Sequence, residues 1–218
     1  MAGTAAGRAS RGVVALSVCV TTIVVTMACH AARPAPPPAA AVVPPAPSVD
    51  TEAIELRAAG GSRVDTFERE DDTWYRGAIL VDASTSSTRK AVLDYGRYSS
   101  FIHPFQKSVV VAKHAGSSDV YLKVPLFQGR IVLWAVERFE APVHDGINEK
   151  IAATMVRGNV ADARAFWKYR AVDKEHTMVV VELLIRPAFA VPASLVDDYL
   201  RALCREAIEG IAREAPSR

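Results

Sequence analysis

Cysteine is scarce in this chain of 218 residues, occurring only at Cys19, Cys29 and Cys204. Three thiols so far apart offer no disulfide framework, so the fold must rely on its core. The chain also lacks a Gly-x-Ser-x-Gly elbow, a phosphate-binding glycine loop and a Cys-x-x-Cys pair. The commonest signatures of nucleophilic hydrolysis, nucleotide binding and thiol redox chemistry are therefore missing. Five histidines are present, His30, His103, His114, His144 and His176. None is spaced from another as metal ligands on a helix would be, and no cofactor is implied. There is no excess of one charge and no basic tract: 26 Lys and Arg face 24 Asp and Glu. This balance gives no reason to expect a nucleic-acid partner.

The N-terminus is organised for export. Arg8 and Arg11 precede an uncharged stretch from Gly12 to Ala28, rich in Val, Thr and Ala. A basic start, an apolar centre and small residues at the end are the pattern of a secretory signal. Thr26-Met27-Ala28-Cys29 resembles a bacterial lipobox, with Thr26 in place of the usual Leu or Val. The resemblance implies a signal peptide over residues 1–28 and lipid on Cys29. The protein would then be a periplasm-facing lipoprotein of the bacterial envelope, tied to a membrane through its lipid. His30 after the cysteine is not the aspartate that commonly retains such proteins in the inner membrane, which leans the expectation to the outer membrane. Ordinary secretion and an uncleaved anchor helix stay open, although an anchor needs roughly 20 apolar residues. Loss of Arg8 and Arg11 would leave basic and acidic side chains equal in number.

A tether follows over residues 29–49. Ala31 to Ser48 is nearly all Ala, Pro and Val and holds seven of the 13 prolines. Such a stretch cannot bury a core and favours an extended spacer, at about 3.1 Å per residue up to roughly 60 Å long.

Residues 50–215 carry the patterns of a folded domain. Thr51 to Ala59 suits a short helix, and Arg63 to Arg69 could pair with the next strand through a turn at Asp71-Asp72. In Thr73 to Ala83, Tyr75, Gly77, Ile79 and Val81 share one face and Arg76, Ala78, Leu80 and Asp82 the other, the period of a half-buried strand. Ser84 to Thr88 are helix-start residues and Gly96 a stop. Pro104 holds His103 extended, so the chain should turn into a sheet there. Strands are expected over Ser108–Ala112, Asp119–Phe127, Arg130–Glu140, Asn148–Val156, Ala163–Val172 and Thr177–Arg186. In the second of these, Val120, Leu122, Val124 and Leu126 share the apolar face. The strand around Trp134 is apolar on both parities and its faces stay unassigned. From Ser194, the residues Val196, Tyr199, Leu200, Leu203, Cys204, Ala207, Ile208 and Ile211 form one continuous apolar stripe. Ser194-x-x-Asp197 reads as a capping box, and Gly210 as a weak point worth about 1 kcal/mol relative to Ala. Cys204, on the stripe, reads as a buried structural thiol. Strands followed by a single apolar-faced helix point to an α+β fold, a curved antiparallel sheet of about six to seven strands gripping that helix.

Several segments also resemble a known family. Val81-Asp82-Ala83-Ser84, the helix carrying Val92 and Asp94, and Asp94-Tyr95-x-x-Tyr98-x-x-Phe101-x-x-Pro104 are similar to the START / polyketide-cyclase (SRPBCC) superfamily. This is the helix-grip fold shared with the birch pollen allergen family. Gly158, Trp167, Thr177 and Pro192 follow in the family's order, and the resemblance runs from about Trp74 to Arg213. Within the superfamily it is nearest the coenzyme-Q-binding START branch. Arg89-Lys90 depart from the large apolar residue that members often carry early in the first helix. The resemblance implies short helices after the first strand and a cavity between sheet and C-terminal helix for a lipid, a quinone or another isoprenoid.

Parity then selects the cavity wall: Trp167 and Tyr169 from one strand, Val179, Val181 and Leu183 from the next, and Tyr199 and Leu203 from the last helix. The same side chains could instead fill a solid core. Glu137, Glu140 and Glu149 could supply a buried carboxylate, and Arg157 a polar group at the mouth; His103 lies beside the aromatic segment. No catalytic acid–base pair stands out, so binding of a hydrophobic small molecule ranks above catalysis. A cyclase- or aromatase-like enzyme and an envelope protein-interaction module without a ligand are the alternatives. Nothing in the sequence speaks to oligomeric state.

Overall fold

The computed structural model describes residues 50–126 and 129–215. The expected signal peptide, the lipidation site at Cys29 and the tether lie outside the described residues. A first helix, α1 (Thr51–Ala58), is capped by Asp50, whose side chain accepts from the Ala53 amide at 3.1 Å. The hairpin β1 (Ser62–Arg69) and β2 (Asp72–Val81) follows. Its turn is Glu70-Asp71, both at positive φ, one residue before the expected turn at Asp71-Asp72. Next come α2 (Thr85–Leu93), a 3-10 turn at Tyr95–Arg97 and α3 (Tyr98–Phe101). Seven more strands are β3 (Lys107–His114), β4 (Ser117–Leu126), β5 (Ile131–Glu140), β6 (Val143–Asp145), β7 (Asn148–Gly158), β8 (Val160–Ala171) and β9 (Thr177–Pro187). The long helix α4 (Ala193–Glu214) ends the fold.

All pairings are antiparallel, in the order β1-β2-β9-β8-β7-β5-β4-β3, with β6 beside β7. This is the expected helix-grip α+β architecture, with nine strands where about six to seven were anticipated. β6 has only three residues, too few to show a period. The concave face packs on α4, with Leu200, Leu203, Cys204, Ala207, Ile208 and Ile211 all buried. Cys204 is fully buried there, and loss of hydration pushes its thiol up to about 12, as a structural thiol should behave.

Several local expectations need correction. β2 is buried on both faces, because α1 covers the convex side: Leu56 packs on Ala78, Met178 and Val180. α2 stops at Leu93, and Gly96 sits inside the 3-10 turn that swings Tyr95 and Tyr98 into the core. α4 begins at Ala193, which places Ser194 inside the first turn. Ser194 therefore makes no cap, and Asp197 instead accepts from Arg201 Nε at 2.9 Å. Gly210 is a packing requirement rather than a weak point. A Cβ there would lie 2.8 Å from Ile102 Cγ1 and nearer still to the Phe101 carbonyl oxygen, so only glycine lets α4 reach the α3 end.

Candidate functional site

Register decides what faces the concave side. Leu122 stands opposite Ala135 and Val124 opposite Leu133. Directly opposed residues share a face, so Leu133, Ala135, Glu137 and Phe139 all point inward with Leu122 and Val124. On the neighbouring strands, Ala165 opposes Leu183 and Trp167 opposes Val181. These walls and α4 enclose an inner hollow, with room of about 90 Å³ for the centres of water-sized molecules. Four alanines, Ala135, Ala163, Ala165 and Ala207, line it. Small side chains facing each other across a curved sheet leave volume that larger ones would fill.

A second hollow of about 240 Å³, by the same measure, lies between the β4, β5 and β9 ends and the start of α4. Leu133, Ile185 and Tyr199 line both spaces. Tyr199 thus stands where the two hollows adjoin, and exposed Phe189 and Leu195 line the second.

Of the residues expected at the wall, Trp167, Val181, Leu183, Tyr199 and Leu203 line the inner hollow. Tyr169 and Val179 do not, although both are buried on the same face. They pair with each other nearer the α2 end, where core aromatics close the space: Tyr98 meets Trp167 at 6.1 Å and Tyr95 meets Phe139 at 4.4 Å. Parity specifies a face, not a depth along it.

The polar groups of the chamber are few. Glu137 lines it with only 9 % of its surface exposed. Among the described residues it has no hydrogen-bond or ion-pair partner, and loss of hydration alone pushes its carboxyl up to about 7. The Tyr199 hydroxyl is buried and likewise has no partner among the described residues; desolvation pushes it above its ordinary range. Arg164, at the margin, is engaged by Asp162 at 2.9 Å.

The other candidates lie elsewhere. Glu140, Arg157 and His103 are exposed. Glu149 is bonded by Arg89 Nε at 2.9 Å, which gives the unusual Arg89 a structural task between α2 and β7. Thr177 donates to the Ala83 carbonyl at 2.8 Å and ties β9 to the end of β2. Gly158 sits where a Cβ would be 2.7 Å from the Trp134 carbonyl oxygen, beside the register shift between β5 and β7. Among the described residues, no group of three or more His, Cys, Asp and Glu is placed to hold a metal ion.

Residues 81–212 match the family model described as polyketide cyclase / dehydrase and lipid transport. No functionally curated protein matches the chain. Among solved structures, a STAR-related lipid transfer protein from Xanthomonas axonopodis superposes with a TM-score of 0.61 at 14% identity, covering 71% of this chain and 93% of that one. Human StAR-related lipid transfer protein 5 gives 0.60 at 12%, covering 71% and 82%. The Zhui aromatase/cyclase from Streptomyces sp. R1128 gives 0.52 at 17%, covering 65% and 92%. At such identities the likeness is one of fold.

Proposed function

We propose, because this chain belongs to the polyketide cyclase / dehydrase and lipid transport family, that it binds or carries a hydrophobic ligand between its sheet and α4. The observation behind this reading is the unfilled chamber, apolar on nearly every wall, which shares Leu133, Ile185 and Tyr199 with a second apolar space. Burial of each ligand methylene contributes about 0.8 kcal/mol, so a lipid tail, a quinone side chain or another isoprenoid can bind without a dedicated polar site. The names of two structural neighbours, both lipid transfer proteins, agree with it. The N-terminal pattern adds a place: a domain held by lipid on Cys29 and a Pro/Ala-rich tether at the bacterial envelope, facing the periplasm.

Glu137 gives a specific reason to weigh a cyclase-like enzyme as the second reading, since a carboxyl titrating near neutrality suits proton transfer. The two tyrosine hydroxyls that line the chamber, Tyr98 and Tyr199, are pushed further from neutrality by burial. One titrating group without a complementary partner favours binding over catalysis. Native mass spectrometry of the purified protein, with extraction of co-purified lipid, tests the binder. A bound hydrophobic mass that exchanges unchanged supports it. Repeated recovery of a ligand-free protein that takes up no added lipid overturns it.

A further inference from the structure

Within the chamber, Glu137 is a chemical anomaly. Its strand neighbours on the same face are Leu133, Ala135 and Phe139, and the facing walls are Trp167, Val181 and Leu183. A carboxyl in such surroundings costs several kcal/mol when charged and a smaller amount when neutral but unpartnered. Elsewhere in this protein the same problem is solved: Glu182, equally buried, receives Lys168 and Arg69 at 2.7 and 2.8 Å. Glu137 receives no such partner among the described residues, yet its unpaired side opens onto the hollow. The Tyr199 hydroxyl, on the facing helix, is also buried and without a partner among the described residues.

We propose that Glu137 is a polar anchor that selects, among apolar ligands, those bearing one uncharged oxygen group, a hydroxyl or a carbonyl, at the inserted end. The inference rests on the ligand-binding reading above and specifies which end of the ligand enters the chamber. In its neutral form the carboxyl can both donate and accept, so it serves either oxygen group. A charged carboxylate can only accept, so ionisation removes the donor that a carbonyl needs, whereas a hydroxyl, itself a donor, can still be accepted. The Tyr199 hydroxyl is a further polar group on the helix side of the same chamber. Arg164, the charged residue at the margin, is already paired with Asp162, so it does not turn the site toward anions.

The test uses the neutral fluorophore N-phenyl-1-naphthylamine as reporter and displaces it with 2-octanone, n-octane or octylamine. The octanone-to-octane affinity ratio should exceed one at pH 5.5 and fall about ten-fold by pH 8.5, because a carbonyl, which only accepts, binds the protonated carboxyl preferentially. In Glu137→Gln the ratio should no longer depend on pH, whereas Glu140→Gln, an exposed control on the same strand, should keep the wild-type profile. Independently of any variant, the side-chain carboxyl of Glu137, followed by carbon NMR, should titrate at higher pH with saturating octanone than with octane. An octanone preference unchanged by pH, or pH dependence that survives in Glu137→Gln, overturns the anchor. Octylamine binding that tightens as pH rises overturns the choice of an uncharged ligand and assigns the site to amines. Failure of the reporter and all three ligands to bind overturns the ligand-binding reading itself, a result distinct from binding without selectivity.

Discussion

The two faces of this sheet treat a buried glutamate in opposite ways. On the convex face, burial alone would raise the Glu182 carboxyl, but hydrogen bonds from Lys168 and Arg69 outweigh it and hold the group below its ordinary value. Arg69 is itself set over the rings of Trp74 and Phe67 at 4.7 and 4.8 Å. The clip α1 closes the same side through Arg170, which reaches Asp50 at 2.8 Å, and through the Arg76–Glu52 pair. On the concave face Glu137 has no partner among the described residues and lies beside an unfilled volume. The convex side pairs its buried carboxylate with two cations, although Arg170 Nε there has no partner among the described residues. The concave side keeps an unsatisfied group and unoccupied space, the two features that packed interiors avoid and that ligand sites retain.

The contrast predicts opposite responses to the same chemical change. Glu137→Gln should stabilise the protein at pH 8 by about 3 kcal/mol, the equivalent of moving a carboxyl from 4.5 to about 7. The sign follows from linkage. A raised carboxyl contributes full stability below its unfolded value, loses it as pH climbs from about 4.5 to about 7, and changes little beyond. The gain in the variant should therefore vanish near pH 4, as urea titrations at both pH values would show. Glu182→Gln should instead destabilise by about 2 kcal/mol at pH 7, because it removes the acceptor charge of two cations that are only partly exposed. Equal responses at the two sites would erase the distinction between the faces.

Gly210→Ala separates local helix preference from packing on the concave side. Propensity favours alanine by about 1 kcal/mol. The close approach of the α3 end predicts a net loss of about 1–2 kcal/mol by thermal denaturation instead. The smallest expected effect is on the convex clip. Asp50→Ala removes the cap of α1 and the Arg170 contact together, and should cost about 1 kcal/mol while leaving ligand binding unaltered.

Much of the fold was legible because its signals are local. The apolar stripe of α4 and the alternation in β4, β8 and β9 each identify an element and its buried face from neighbouring residues. The convex burial of Ala78 and Met178 was hidden because α1 is too short and too weakly patterned to announce a covering role. The candidate site was readable by face but not by depth, so Trp167 and Val181 reach the chamber while Tyr169 and Val179, one step along the same strands, do not. Glu137 was obscured for a different reason. β5 is apolar on both parities, and its inward face is set by the register with β4, a relation between strands that no single-strand period contains.

Leu203 lines the concave chamber from α4, where the apolar ligand is proposed to lie. Replacement of Leu203 by Trp fills the volume from the helix side, at a cost of about 1–3 kcal/mol in strain. Titration of this variant with N-phenyl-1-naphthylamine, alongside its thermal transition, is the most direct measurement. A cooperatively folded protein is expected, with affinity for the probe lower by about ten-fold or more, the equivalent of about 1.4 kcal/mol. Unchanged affinity in a folded Leu203→Trp variant would rule out the chamber as the ligand site.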